Sequence, residues 1–150
     1  MNSKLVSSID AVAGSRLVTI GADATLVDAA KLLSSTQISL VVVCDPDGAM
    51  VGVITKTDIV RQIGHCAGSD CARVAAEVMI CDVASCRPTD CLPDVLALMH
   101  QRGFVHIPVV DEAFKPIGVV NARDALRELL AQEKYEESML RDYVMGVGYR

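Results

Sequence analysis

Residues 52–58 read Gly-Val-Ile-Thr-Lys-Thr-Asp, and 66 residues later residues 118–124 read Gly-Val-Val-Asn-Ala-Arg-Asp. The same offset holds without a gap further back in the chain, where it pairs Asp45 with Asp111. A duplication of this length indicates one supersecondary unit used twice, and units that cannot bury their apolar face alone must pack together. The sequence therefore predicts two pseudo-symmetric halves with two equivalent clefts between them.

The composition of the chain argues against several classes of protein. The chain has 150 residues, of which 51% are hydrophobic, and this is enough for one core of ordinary size. Its longest apolar run is only strand-length, so we expect no membrane span and a cytoplasmic location. The net charge of −5 and an aromatic content of 3% argue against binding to a nucleic-acid polymer, which needs positive charge and stacking platforms.

Six cysteines do not form a recognisable metal motif. Their spacings differ from those of common zinc sites, so we expect small buried side chains and no metal, with a redox or metal sensor as the less favoured alternative. A nucleophilic Cys66 near His65 or His100 lacks a third group to orient the base, so we expect no enzyme. The cysteines are Cys44, Cys66, Cys71, Cys81, Cys86 and Cys91.

Apolar periodicity and turn residues give each half the order strand, helix, strand, strand, helix. We expect an N-terminal helical extension over residues 1–16, a first repeat over 17–64, a linker with a short helix over 65–82, a second repeat over 83–130 and a C-terminal helix extension and tail over 131–150. Packed sheet to sheet, two such β-α-β-β-α units form an α+β fold with pseudo-two-fold symmetry and helices outside.

Three local patterns support this order. Thr25 and Asp28 have the spacing of a capping box, which predicts a helix at that point. The β-rich run over residues 38–44 lacks alternation, which indicates a strand buried on both faces. Residues 84–86 match the short strand predicted over residues 18–20, so both halves are expected to begin with a strand.

The element order, the repeat length of about 48 residues and the Gly-x-x-Thr-x-x-Asp ending resemble the cystathionine-β-synthase (CBS) domain. The two copies in register resemble a Bateman module, here a free-standing one. The resemblance implies a regulatory protein that binds an adenosine-containing ligand: AMP, ADP, ATP, NAD or S-adenosylmethionine. It also implies a homodimer in which four repeats form a flat disc, and a regulated protein that the sequence does not identify.

The resemblance assigns Asp58 to the ribose of the ligand and Thr55 to the ribose or a phosphate. Both residues stand at the start of a predicted helix, where a hydroxyl and free N–H groups can approach a phosphate. From spacing alone, an ordinary capping box that leaves no site is the favoured interpretation of the same pair, and the family resemblance reverses that preference. In the second repeat Asp124 matches Asp58, but Asn121 replaces the threonine, so the two clefts are expected to differ in affinity or ligand.

The resemblance also suggests the residues around the adenine. Whether each short strand serves its own repeat or the neighbouring cleft is left open by the sequence. Around one cleft they are Ile20, Gly21, Leu40, Val42 and Ile54. Around the other they are Cys86, Arg87, Phe104, Val105, Pro108 and Val120.

His106 stands where the family often places a phosphate-contacting basic residue, although a partly exposed strand histidine is an equal interpretation. Further candidates for phosphate pairing are Lys56, Arg87, Arg102 and Arg123, each of which is otherwise a solvated surface charge. The leading hypothesis is a nucleotide-sensing module. The alternative is a structural or dimerisation module with degenerate clefts.

Overall fold

The computed structural model describes residues 4–36, 38–64, 73–131 and 134. Every helix among these residues is too short or too polar to cross a lipid bilayer. The helices are a 3-10 turn at Val6–Ile9, α1 (Asp10–Ser15), α2 (Leu26–Thr36), α3 (Lys56–Gly64), α4 (Ala75–Val78), α5 (Leu92–Arg102) and α6 (122–131). The strands are β1 (Thr19–Gly21), β2 (Leu40–Cys44), β3 (Met50–Thr55), β4 (His106–Val110) and β5 (Pro116–Asn121).

The first repeat contains a three-stranded sheet in the order β1-β2-β3. β1 runs parallel to β2, and β2 forms an antiparallel hairpin with β3. Val41, Val42 and Val43 are all fully buried, which confirms the prediction of a strand covered on both faces. The Thr25 hydroxyl accepts a hydrogen bond from the Asp28 N–H at 3.1 Å, and the Asp28 carboxylate accepts one from the Thr25 N–H at 3.3 Å. The predicted capping box is therefore present at α2.

The second repeat repeats the hairpin, with β4 antiparallel to β5. The two hairpin turns use the same chemistry. Asp45 Oδ1 accepts hydrogen bonds from the backbone N–H groups two and four residues later, at 2.9 and 3.0 Å. Asp111 Oδ1 does the same at 2.9 and 2.9 Å. A short acceptor side chain that closes a turn in this way fixes the register of each hairpin.

The strand predicted over residues 84–86 is reduced to one parallel bridge between Cys86 and Val109. In the first repeat, the Val42 N–H donates to the Val18 carbonyl at 2.9 Å and extends the ladder. The residue equivalent to Val42 is Pro108, which has no N–H to donate. The prediction of a strand was therefore wrong, because one ladder bond cannot form in the second repeat.

The segment before each repeat packs on the core of the other repeat. Val6 and Ile9 are buried in the cluster that contains Leu92 and Ile107 of the second repeat. Ala75 of α4 is fully buried in the corresponding cluster of the first repeat. The two repeats therefore exchange their leading segments, and neither core is complete without the chain that precedes the other repeat.

The two sheets also pack against each other, as the sequence predicts for an α+β fold of this kind. Val42 and Val53 of the first sheet share a buried cluster with Val110 and Val119 of the second. This cluster contains residues of both repeats and joins them into one body.

Gly52 and Gly118 occupy equivalent positions and let the leading segments approach closely. A Cβ at Gly52 would lie 2.8 Å from the Ile80 carbonyl oxygen and 2.6 Å from Met79 Sδ. A Cβ at Gly118 would lie 3.0 Å from Ala13 Cβ. The glycine of the repeated motif is therefore needed where backbone passes over the sheet.

We expect Gly52→Ala to lower the free energy of unfolding by roughly 1–3 kcal/mol, because the new methyl group meets backbone that cannot move aside. Urea denaturation measures the loss. Gly14→Ala is the matched control, since Gly14 lies in α1 with nothing within 4 Å of its added Cβ. That change should stabilise the helix by about 0.5–1 kcal/mol. Equal effects of the two substitutions would contradict the close approach.

Candidate ligand-binding site

Two cavities lie where the repeats meet. We call the larger one the first cleft; its volume is about 440 Å³. It is lined by the start of α3 (residues 55–57), the start of β2 (39–40) and the loop before β4 (103–106). Ile80 and residues 82–84, which precede the second repeat's short bridge, complete its wall.

We call the smaller cavity the second cleft; its volume is about 260 Å³. Asn121 and Arg123 line it from the second repeat, and Arg16 lines it from the segment before β1. Arg16 and Asp82 are equivalent under the 66-residue offset. Each cleft therefore combines the helix start of one repeat with the leading segment of the other. Of the two short strands predicted from sequence, the second contributes Ala84 to the cleft at the other repeat's helix start, whereas residues 18–20 line neither cleft.

Eight of the predicted site residues line one or both clefts. Thr55, Phe104 and Pro108 line the first cleft, so residues assigned from the two different repeats meet in one cavity. Asn121 and Arg123 line the second cleft. Three residues line both: Leu40, Val105 and His106.

The remaining predicted residues lie outside the two linings. Val42, Ile54, Val120 and Cys86 place their side chains in the core, where the first three are fully buried. The helices and the facing sheet cover these side chains, so they contribute to the core. Also outside the linings are Ile20, Gly21, Asp58, Arg87 and Asp124.

Asp58 and Thr55 form a reciprocal capping box at α3. The Asp58 carboxylate accepts a hydrogen bond from the Thr55 N–H at 2.9 Å, and the Thr55 hydroxyl accepts one from the Asp58 N–H at 3.2 Å. Arg61 also approaches the carboxylate, at 3.3 Å. Asp58 is 7% exposed. The pair therefore forms the capping box that its spacing predicts, and Thr55 also lines the first cleft.

Asp124 has a different partner. Arg16 donates two hydrogen bonds to its carboxylate, Nε to Oδ2 at 2.8 Å and Nη2 to Oδ1 at 3.0 Å. The Asp124 side chain is 3% exposed and that of Arg16 is 40% exposed. The hydrogen bond to Asp124 raises the pKa of Arg16 above its ordinary value. This bidentate ion pair ties the leading segment of the first repeat to the helix of the second.

The model of the CBS-domain family matches residues 6–65 and 74–131. The chain belongs to the CBS-domain family. The matched ranges start before residues 17 and 83, where the sequence repeat places the starts of the two units. They include the leading segments that complete the clefts.

Curated relatives of this CBS pair are distant. An uncharacterised 17.7 kDa protein of Acidianus ambivalens is 26% identical over 144 residues, which cover 96% of this chain and 86% of that protein. An inosine-5′-monophosphate dehydrogenase of Methanocaldococcus jannaschii is 26% identical over 133 residues, which cover 89% of this chain. The CBS pair spans only 25% of the dehydrogenase.

Solved structures share the fold. A putative signal-transduction protein with CBS domains from Burkholderia ambifaria has a TM-score of 0.73 and 26% identity, over 85% of this chain and 95% of that one. The CBS pair of protein MJ0100, in complex with 5′-methylthioadenosine and S-adenosylmethionine, has a TM-score of 0.72 and 22% identity over 88% and 99%. CBSX2 in complex with AMP has a TM-score of 0.74 and 21% identity over 87% and 98%.

Sequence reasoning missed the contribution of the leading segments. Arg16, Ile80 and Asp82 line the clefts but were assigned to an extension and a linker. The 66-residue offset relates these segments by position, because it pairs Ala13 with Met79 as well as Arg16 with Asp82. Their side chains differ, so the duplication is not visible from residue identity alone.

His106 lies between the two clefts of the CBS pair. Its Nε2 is 3.0 Å from the Asn121 side-chain nitrogen, so a neutral ring with Nε2 as the acceptor satisfies this contact. Burial lowers the pKa of His106, and the positive charge of Arg16 lowers it further, while Asp124 opposes the shift. The lowered pKa favours a neutral His106 at pH 7.

Of the four described cysteines, Cys86 is buried, Cys44 and Cys91 are half-buried and Cys81 is exposed, so the expectation of a small buried side chain holds for Cys86 alone among them. Burial raises the pKa of Cys86 to about 12, and Asp90 adds to this effect. Burial also raises the pKa of Cys44. Cys66, Cys71 and His65 lie outside the described residues. Within the described part of the chain, no three His, Cys, Asp or Glu side chains are grouped so as to hold a metal ion.

We expect the CBS pair to lose stability as the pH falls below about 6.5, the ordinary value for histidine. The pKa of His106 is lowered on folding, so the unfolded chain binds a proton at a pH where the folded chain does not. His106→Gln should reduce this loss, whereas His100→Gln on the exposed face of α5 should not. Urea unfolding at pH 5.5 and 7.5 gives the change in unfolding free energy between the two pH values for each variant. If this change is the same in His106→Gln as in the unsubstituted chain, His106 is not the source of the loss.

Proposed function

We propose that this chain is a regulatory module that binds an adenosine-containing ligand in the first cleft. The observation that carries the proposal is the cavity itself, which lies between the repeats and is enclosed by both. Its volume of about 440 Å³ falls within the range of roughly 300–1,000 Å³ that is typical of small-molecule pockets. The second cleft, at about 260 Å³, is smaller than that range.

The first cleft has the mixture of surfaces that a nucleotide needs. Val53, Ile80, Val83 and Pro108 contribute apolar wall that suits the faces of a purine. At the start of α3, Thr55 supplies a hydroxyl, and neighbouring Lys56 supplies a positive charge. Helix starts attract anions through their dipole and free N–H groups, so this end suits a phosphate or a ribose.

Asp58 can accept hydrogen bonds from the ribose of a ligand even though it caps α3. An ionised carboxylate has about four acceptor positions. Two of them are taken by the Thr55 N–H and by Arg61. The remaining capacity is enough for the cis hydroxyls of a sugar held next to Thr55. Capping and binding are therefore compatible uses of one side chain.

Two proteins of this fold have been solved with adenosine ligands: MJ0100 with 5′-methylthioadenosine and S-adenosylmethionine, and CBSX2 with AMP. They support the class of ligand for this chain. AMP, ADP, ATP, NAD and S-adenosylmethionine remain the candidates. A ligand that contacts both walls would shift the geometry between the repeats through unequal affinity for two states, which would supply the regulatory output.

A homodimer is part of this proposal. Val60 and Ile63 on α3 are 68% and 56% exposed, and Leu126 and Leu130 on α6 are 48% and 47% exposed. Val60 and Leu126 are equivalent under the 66-residue offset, so the apolar surface repeats with the fold. Two copies that pair these faces would assemble four repeats into one disc and cover the apolar side chains.

A structural module with degenerate clefts is the second candidate. The Thr55–Asp58 capping box favours it, because each group satisfies the other without any ligand. Under this alternative, changes at Asp58 alter stability alone. Ligand binding by matched variants therefore separates the two functions.

We expect Asp58→Asn to weaken AMP binding to the first cleft by roughly 10- to 100-fold, the usual effect of losing a hydrogen bond to a charged group. Asp28→Asn is the matched control. It changes a capping box of the same kind at α2, away from both clefts, and should leave affinity unchanged. Isothermal titration calorimetry with AMP, ATP, NAD and S-adenosylmethionine gives the affinities.

Lys56→Met distinguishes the contribution of the phosphate to binding from that of the nucleoside. It should weaken AMP more than adenosine, since only AMP carries the anion that Lys56 would face. If none of these ligands binds the purified, ligand-free protein, the sensing function is wrong. If Asp28→Asn and Asp58→Asn reduce binding equally, Asp58 acts through the fold, and the structural module gains support.

A further inference from the structure

Asp58 and Asp124 hold equivalent positions but meet different cations. Asp58 pairs with Arg61, one helical turn later, at 3.3 Å. Asp124 has Arg127 at the equivalent spacing, 4.0 Å away. In addition it receives both hydrogen bonds of the Arg16 fork, at 2.8 and 3.0 Å. The contact with Arg16 is therefore the feature that distinguishes the second cleft.

The leading segments account for this difference. Arg16 lines the second cleft, and the residue at the equivalent place in the first cleft is Asp82. A guanidinium thus stands in one cleft where a carboxylate stands in the other. Asp124 itself is outside the lining of the second cleft and is 4% exposed. A molecule that enters this cleft meets Arg16 before it meets Asp124.

Arg16 occupies one acceptor position on each carboxylate oxygen of Asp124, so a ribose that binds Asp124 shares both oxygens with the guanidinium. The ribose gains less from this carboxylate, because the bidentate ion pair already offsets its charge. A phosphate can bind the N–H groups of Arg16 that Asp124 leaves unused, because its oxygens fit the guanidinium geometry. A nucleoside without a phosphate makes no such charge-assisted contact with Arg16.

We propose that Arg16 is a specificity-determining residue that restricts the second cleft to adenosine ligands carrying a phosphate. The first cleft, with Asp82 at the same place, accepts phosphate-free adenosine ligands as well. This inference rests on the proposed function of the clefts. The module then has two sites of different specificity: the first cleft binds adenosine ligands with or without a phosphate, and the second binds only those with a phosphate.

Other charged groups lie near the second cleft without this combination of contacts. Arg123 lines the cavity and adds positive charge, but Asp124 receives its two short hydrogen bonds from Arg16. Arg127 reaches the same Asp124 carboxylate, yet its side chain is 71% exposed. Arg16 is the residue that both lines the cavity and holds the carboxylate.

The test measures the second cleft by itself. In an Asp58→Asn chain the first cleft is weakened, and calorimetry with AMP and with adenosine reports the second. We expect AMP to bind roughly 10- to 100-fold more tightly than adenosine there. Adding Arg16→Gln should reduce that ratio at least about 10-fold, since the phosphate then loses its charge-assisted contact with the guanidinium. Arg127→Gln is the matched control and should keep the ratio.

Arg16→Lys is a second variant that keeps the charge but not the fork, and it should give an intermediate ratio. The inference is overturned if adenosine binds the second cleft as tightly as AMP while Arg16 is present. It is also overturned if Arg16→Gln leaves the ratio unchanged, or if the second cleft binds neither ligand. In each of these cases, AMP binding to the first cleft of the unsubstituted chain leaves the proposed function standing. If the unsubstituted chain binds neither ligand, the proposed function fails with it.

Discussion

The two repeats depend on the apolar contact between their sheets. Val42 and Val53 on one side, and Val110 and Val119 on the other, are nearly or fully buried in one cluster. Burial of apolar surface is the main favourable contribution to folding, and an isolated two-stranded hairpin such as β4-β5 is marginally stable on its own. The same contact brings the start of α3 opposite residues 80–84. The cavity between the repeats is thus a direct consequence of how the core is built.

Exchange of the leading segments strengthens this dependence. Ile9 packs in the core of the second repeat and Ala75 in that of the first. Each segment crosses a sheet at a glycine, and each ends at the wall of a cleft. Under the proposed function, a ligand that moved one wall would act on both repeats, because the crossing is shared.

The repeated motif was sufficient to predict the fold class, both hairpins, the capped helices and the sheet-to-sheet packing. These features follow from local chemistry that both copies share: turn aspartates, capping pairs and unbroken apolar strands. The short strand of the second repeat was not predictable by symmetry, because Pro108 removes one ladder hydrogen bond. A substitution at a single position changed the secondary structure while the path of the chain stayed the same.

The clefts were harder to predict than the fold. Thr55, His106 and Asn121 were assigned to them by resemblance and do line them. Val42 and Ile54 instead belong to the core, since both faces of β2 and most of β3 are covered. Which side chain points into a cavity depends on tertiary packing that a strand pattern does not contain.

The most direct measurement is the crystal structure of the chain with AMP. The account predicts a purine between the apolar walls of the first cleft, a ribose within hydrogen-bond distance of Asp58, and contacts to Ile80 or Val83 from the other repeat. Such a structure would show one ligand held by both halves. The account is contradicted if the nucleotide lies outside the junction of the repeats, or if the first cleft is filled by side chains at saturating AMP.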